Sequence, residues 1–294
     1  MFKYKSLLAA ATLVALIMVG CNENTTTPTD TVPNPPTGLM ASSNSSSKIT
    51  VKWTPPTAGT FTGYKLRITG TGLDTTVTIN DKTTIGYFAD NLTNGVKYTF
   101  AVSSVNGTAT SATAATISWS PASRFTQING NDIRIYESSS TKGSGLRLYN
   151  DVTKSPEVLN VSGGSLWDIG FDNKGIADSI DTGSPGALSF TIAPRRVTLM
   201  GKIYSNVTSL DDIYETADLT VGTDEGAYTL PNNAAAGYCF VLKTADGNFA
   251  KVLVKSVGGK ILQGTAPDRY CQVEVSYQTT KNVGHAEVKG TNGK

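Results

Sequence analysis

Few side chains in this 294-residue chain can do chemistry, and their types restrict it more than their positions do. There is one histidine, His285, in the polar C-terminal stretch. With that single imidazole, a serine or cysteine nucleophile lacks its usual base, and no His/Cys cluster has the spacing of a zinc site. Asp211, Asp212 and Glu215 could form an acidic patch, and Asp172, Asp178 and Asp181 lie in a turn-rich stretch. Neither group follows a calcium-loop spacing, so solvated turn carboxylates are the expectation. Gly143, Gly145, Gly163 and Gly164 mark turns rather than a phosphate loop, because no helix is expected after them. The formal net charge is +2 with no basic block, which argues against nucleic acid as a partner. The inventory points away from an enzyme and toward a non-enzymatic binding protein.

The three cysteines divide by position. Cys21 follows a lysine-bearing start, Met1 to Lys5, and an apolar run from Leu7 to Val19 that is shorter than the ~20 residues a membrane helix needs. Met18-Val19-Gly20-Cys21 resembles the lipobox of bacterial lipoproteins, with methionine where leucine is usual. The resemblance implies a signal peptide over 1–20 and a diacylglycerol, with a further acyl chain such as palmitate, on Cys21. The protein would then be held by its lipid in the cell envelope, at the outer membrane, periplasmic or surface-exposed. Cys239 and Cys271 remain as an even pair, which in an oxidising compartment suggests a disulfide. Geometry opposes the bridge, because a strand near Phe249 to Val257 falls between them. In a meander the outer strands are about 10 Å apart, whereas bridged Cα atoms lie within about 7 Å. The bridge requires Cys271 in the loop before its strand, or a different strand order.

The elements that must position these residues are strands. Glycine, serine and threonine are abundant, 3.6-residue periodicity is scarce and short alternating runs are common, so the fold class is all-β. Residues 21–35 are a polar, proline-bearing tether. Residues 36–121 form about seven short strands. Ile49, Val51 and Trp53 alternate, as do Tyr64, Leu66 and Ile68 before a Gly70-Thr71-Gly72 turn, and further strands follow around Val77, Ile85, Tyr98 and Trp119. The opening Pro35-Pro36 with Leu39, the Trp53 with Pro55-Pro56, and Leu92 six residues before Tyr98 resemble the fibronectin type III module. That resemblance implies a β-sandwich with a tyrosine corner at Tyr98, serving as a spacer.

Ser120-Pro121-Ala122-Ser123 reads as a hinge into a second β domain over 124–280. Its strands are expected at Ile133 to Tyr136, Leu146 to Tyr149, Leu166 to Phe171, Leu188 to Ile192, Tyr238 to Leu242, Phe249 to Val257 and Cys271 to Tyr277. Asp246-Gly247 makes a hairpin turn. Asp211 to Ala217 reads as a short helical or irregular segment, and 281–294 as a frayed polar tail. Trp167-Asp168-Ile169-Gly170-Phe171, the hairpin Tyr238 to Lys251 with its Lys243-Thr244-Ala245-Asp246-Gly247 turn, and Val273 to Tyr277 resemble landmarks of the HmuY-like lipoproteins, in the same order. Some members of that family capture haem between two axial side chains and deliver it to a surface uptake system, so haem is the candidate cofactor. Two axial histidines are impossible here. Haem ligands are His, Met, Cys or Tyr, which leaves Met200 as the first candidate, with Tyr204 and Tyr214 behind it. A flexible core methionine is the competing account of Met200. The function expected is that of a membrane-anchored ligand-binding or uptake lipoprotein. The alternative is a structural or adhesive surface protein that binds protein or glycan.

Overall fold

The structure is a computed structural model that describes residues 30–160, 166–172, 178–188, 194–213, 224–283 and 286–287. Cys21, Tyr214, Glu215 and His285 lie outside the described residues, as does most of the expected strand at Leu188 to Ile192.

The first domain is built from β1 (Thr37–Ser45), β2 (Lys48–Thr54), β3 (Gly63–Gly70), β4 (Leu73–Ile79), β5 (Gly86–Ala89), β6 (Tyr98–Asn106), β7 (Ala109–Thr110) and β8 (Ala115–Trp119). One sheet has the order β1-β2-β5 and the other β8-β6-β3-β4, with β7 on β6. The expected alternation sets the core: Ile49, Val51, Trp53, Tyr64, Leu66, Ile68, Phe100 and Val102 are buried between the sheets. Glycine at 72 is required by its φ of +77° in the two-residue turn joining β3 to β4. The Tyr98 hydroxyl accepts the Thr93 N–H at 2.9 Å beside buried Leu92, which is the expected tyrosine corner. The tether ends earlier than composition suggests. Asp30 already accepts from the backbone and hydroxyl of Thr108, and Pro33 is buried.

The second domain comprises β9 (Ser123–Phe125), β10 (Gln127–Ile128), β11 (Asn131–Tyr136), β12 (Gly145–Asn150), β13 (Ser155–Leu159), β14 (Ile169–Asp172), β15 (Ser179–Gly183), β16 (Leu199–Val207), β17 (Ala227–Pro231), β18 (Gly237–Lys243), β19 (Phe249–Val254), β20 (Leu262–Gln263) and β21 (Tyr270–Tyr277). A larger sheet runs β10-β11-β21-β19-β18-β16 and a smaller one β13-β12-β14-β15-β17. Their inner faces enclose one core that includes Ile135, Leu148, Phe171, Phe240, Val252 and Val273. On the outer face of the larger sheet, Cys239 and Leu253 are covered by Val207, Leu210 and Ile213. The Asp211 segment expected to be helical or irregular contributes a single 3-10 turn there, Leu210–Asp212, capped by Ser209. The polar tail is not wholly frayed, since β22 (Ala286–Glu287) pairs with β8 at the edge of the first domain.

Two expectations are corrected. Ser120 to Ser123 is not an exposed hinge: Ser120, Pro121 and Ala122 are buried, and β9 follows at once, pairing with β21. Gln278, also buried, donates to the Ser120 hydroxyl and the Pro121 carbonyl at 3.0 and 2.9 Å. Arg124 joins Asp211 and Glu274, Asn44 of β1 donates to Asp211, and Asn94 donates to Ser123. Lys251, fully buried, donates to the Ile213 carbonyl with its ammonium 5.8 Å from the centre of the Trp119 ring. Small side chains at 120–123 permit this close approach, so the two domains meet through a buried, hydrogen-bonded junction.

Cys239 and Cys271, the pair expected to admit a disulfide, are separate thiols. β19 lies between their strands, as in the meander that opposed the bridge. Cys271 also belongs to the core between the sheets, while Cys239 belongs to the cluster on the opposite face. Burial raises the pKa of the Cys271 thiol and so suppresses its thiolate. Maleimide should therefore leave both cysteines unmodified in the native protein and label both after unfolding without reductant. A single unlabelled pair that appears only after reduction would overturn this arrangement.

Candidate functional site

Met200 and Tyr204 both lie on β16, aligned with Leu242 and Cys239 of β18. A register shift falls between Met200 and Ile203. Met200 is 5% exposed and packs in the core between the sheets, whereas Tyr204 packs against the cluster on the outer face. Side chains on opposite faces of one strand cannot flank one metal. Met200 and Tyr204 therefore do not flank one haem iron together, and Tyr214 lies outside the described residues.

The Trp-Asp-Ile-Gly-Phe landmark has a clear physical role. Trp167 is fully buried against Gly145 and Gly170, where any Cβ would collide with its ring. Asp168, 2% exposed, accepts the Leu148 N–H at 2.9 Å and the Arg196 Nε–H at 2.6 Å. Arg196 also bonds Asp246 in the hairpin turn between β18 and β19. Two of the sequence landmarks thus meet through an arginine that belongs to neither. Burial pushes the Asp168 carboxyl above its ordinary range, and the charge of Arg196 and the Leu148 N–H draw it partly back. The hydrogen bond from Arg196 holds Asp246 below the usual carboxylate range. The open groove beside this link, about 660 Å3, is lined by Arg195, Lys243 and Thr244 among others. Arg195 there is already paired with Glu225 at 3.1 Å.

A second, less open cleft of about 580 Å3 lies where the β10–β11 hairpin approaches β13. The hairpin turns through Asn129-Gly130, with φ of +50° and +78°, the conformation that two-residue hairpin turns favour. Asp132, Arg134 and Tyr136 alternate along β11 and share one face. Ser155, Pro156, Glu157 and Val158 form the opposite wall. Tyr136 and Tyr270 pack at a 5.5 Å centroid distance, with the Arg134 guanidinium 4.7 Å from the Tyr270 ring centre and Lys142 5.4 Å from that of Tyr136. Lys142 is anchored by Asp268 at 2.8 Å. Next to Tyr136, buried Glu137 pairs with Arg269, and its carbonyl accepts from Ser144. Tyr270 opens β21 and Gln278 follows its other end, so the tyrosine pair stands roughly 25 Å from the junction at ~3.3 Å per residue. Asn129-Gly130 is the sequence signal for this cleft, because that dipeptide favours a two-residue hairpin turn. The acidic residues considered for a patch are not gathered here. Asp211 serves the junction, and Asp181 accepts from Thr229 at 2.6 Å. The described residues contain no group of three or more His, Cys, Asp or Glu able to hold a metal.

With this geometry in place, residues 34–114 match the fibronectin type III domain family. The chain is therefore an all-β protein that carries a fibronectin type III domain ahead of a second β-sandwich. Similar solved structures include the FN1-FN3 domains of chicken CNTN1, at 23% identity over 30% of this chain and 32% of that one, TM-score 0.28. The fn3 domain of human collagen alpha-1(XX) chain is 21% identical over 34% of this chain and 95% of its own, TM-score 0.30. The FN5 domain of Drosophila Lar is 22% identical over 31% and 98%, TM-score 0.25. The chain spans about a third of the chicken structure. No curated protein matches the chain.

Replacing Arg196 with methionine should strand the Asp168 carboxylate and destabilise the protein by about 3–5 kcal/mol at neutral pH. With the cation gone, Asp168 titrates well above its unfolded value of about 3.9, so the native state holds the proton more tightly. Stability is then fully present below that value and is lost as pH rises through the raised one. Urea unfolding of Arg196→Met should show a smaller deficit near pH 4.5 than near pH 7.5. An equal deficit at both would assign Arg196 to packing alone.

Proposed function

We propose that this chain is a lipid-anchored, non-enzymatic surface protein of the bacterial envelope, held at the outer membrane by Cys21, in which the second domain makes adhesive or structural contact with glycan or protein. The fibronectin type III domain is of a kind that is generally a non-catalytic binding or structural module. Here it stands between the anchor and the second domain, and the buried junction transmits load from one to the other without a hinge. The likeness of the second domain to HmuY-like lipoproteins is carried by residues with scaffold roles, Trp167, Asp168 and Asp246. One observation favours adhesion over uptake. The axial candidates Met200 and Tyr204 face opposite sides of β16, while a polar cleft that includes Tyr136 lies open beside the β10–β11 hairpin.

Two measurements on the mature protein, purified in a detergent without sugar, test this reading. Metabolic palmitate should label the wild type and be lost in Cys21→Ala. Titration with haem to micromolar concentration, oxidised and reduced, should give no saturable Soret shift. A saturable shift abolished by Met200→Ala would return the protein to haem uptake, and an unlabelled wild type would remove the anchor.

A further inference from the structure

We infer that the cleft between the Asn129-Gly130 hairpin and β13 is a binding site for a neutral glycan chain. This rests on the surface-binding reading above and names its partner. Charge is the first argument. The lining carries two cations, Arg134 and Lys142, and two carboxylates, Asp132 and Glu157, so its own formal charges cancel, and Lys142 is already met by Asp268 beside it. A phosphate, a sulfated or uronic-acid sugar, or a basic peptide would find as much repulsion as attraction, whereas an uncharged ligand loses nothing. Hydrogen-bond type is the second. A sugar hydroxyl both donates and accepts, and it is held by adjacent groups of complementary kind. Carboxylates only accept, guanidinium and ammonium only donate, and Asn131 does both. Asp132 and Arg134 are 3.8 Å apart, beyond a hydrogen bond, so a hydroxyl can bridge them.

The apolar part of the cleft completes the fit. Ile128, Pro156, Val158 and the half-buried Tyr136 offer C–H and ring surface to the hydrophobic face of a pyranose. The volume of about 580 Å3 falls within the ~300–1,000 Å3 range of small-molecule sites. Asp132, Arg134 and Glu157 sit on paired strands, and Lys142, in the loop between β11 and β12, is held by Asp268, so little ordering accompanies binding. A flat protein partner would instead call for a buried aromatic anchor at the centre of a wide patch.

Saturation-transfer NMR and calorimetry of the mature protein, in a detergent without sugar, test the site. The neutral probes are cellohexaose, xylohexaose, mannohexaose and chitohexaose, and the charged comparison is oligogalacturonate. At least one neutral probe should bind with Kd below about 1 mM, little changed between low and high salt. Asp132→Ala and Arg134→Ala should each weaken it at least about tenfold, roughly the loss of one hydrogen bond to a charged group. Both side chains are exposed, so an unchanged urea midpoint confirms that the variants fold. Lys82→Ala in the first domain should bind as the wild type does. Failure of all four neutral probes, binding of oligogalacturonate alone, or binding that survives both substitutions would each overturn the inference. If the neutral probes fail while palmitate still labels the protein and cells displaying it still adhere to protein-coated surfaces, the glycan site falls and the surface-binding reading stands.

Discussion

Strand β21 must satisfy its backbone hydrogen-bonding groups along both edges, and most of the second domain is arranged around that requirement. One edge is covered by β19 over Val273–Tyr277 and then by β20 over Tyr270–Cys271. The other is covered by β11 over Tyr270–Val273 and then by β9 over Val275–Tyr277. Neither partner is long enough alone, and a buried strand cannot leave such groups unmet. β9 therefore has to lie against β21 immediately after the first domain ends. That need draws Ser120–Ser123 inward and brings Trp119 over Lys251. The same strand ends at the junction and begins at the tyrosine pair, so it sets both the fixed and the open ends of the domain.

Charges buried at these contacts follow the same logic. Lys251 has no exposed surface and Asp168 almost none, and each is matched, by the Ile213 carbonyl and by Arg196. Removing a charge from water is tolerated where geometry supplies a partner. Such pairs add little to net stability compared with apolar packing, but they fix which surfaces meet. The first pins the segment after β16 over the outer face of the larger sheet. The second pins the hairpin turn to the smaller sheet.

Much of the first domain is legible in the sequence because its signals are local. The period-two alternation at Ile49–Trp53 and Tyr64–Ile68, and the six-residue spacing of Leu92 and Tyr98, translate directly into buried faces and a hydrogen-bonded corner. In the second domain the central strands are equally plain. What is not legible depends on partners far apart in the chain. Arg196 meets Asp168 and Asp246 across 28 and 50 residues, and no pattern around it marks it out. The small residues Ser120-Pro121-Ala122-Ser123 have the composition of a linker, and only the edge of β21 explains their burial. Cysteine parity suggests a bridge, yet strand order and facing place Cys239 and Cys271 on different sides of one sheet. The cleft is an intermediate case: Asn129-Gly130 announces a hairpin, while its approach to β13 is a tertiary fact.

The buried junction bears on how the molecule can be dismantled. A protease needs several residues of extended, accessible backbone, and Ser120 to Phe125 offer only buried or sheet-paired chain. A protease finds no accessible cut site between the domains. Limited proteolysis should therefore leave the two sandwiches joined, with the cleft intact.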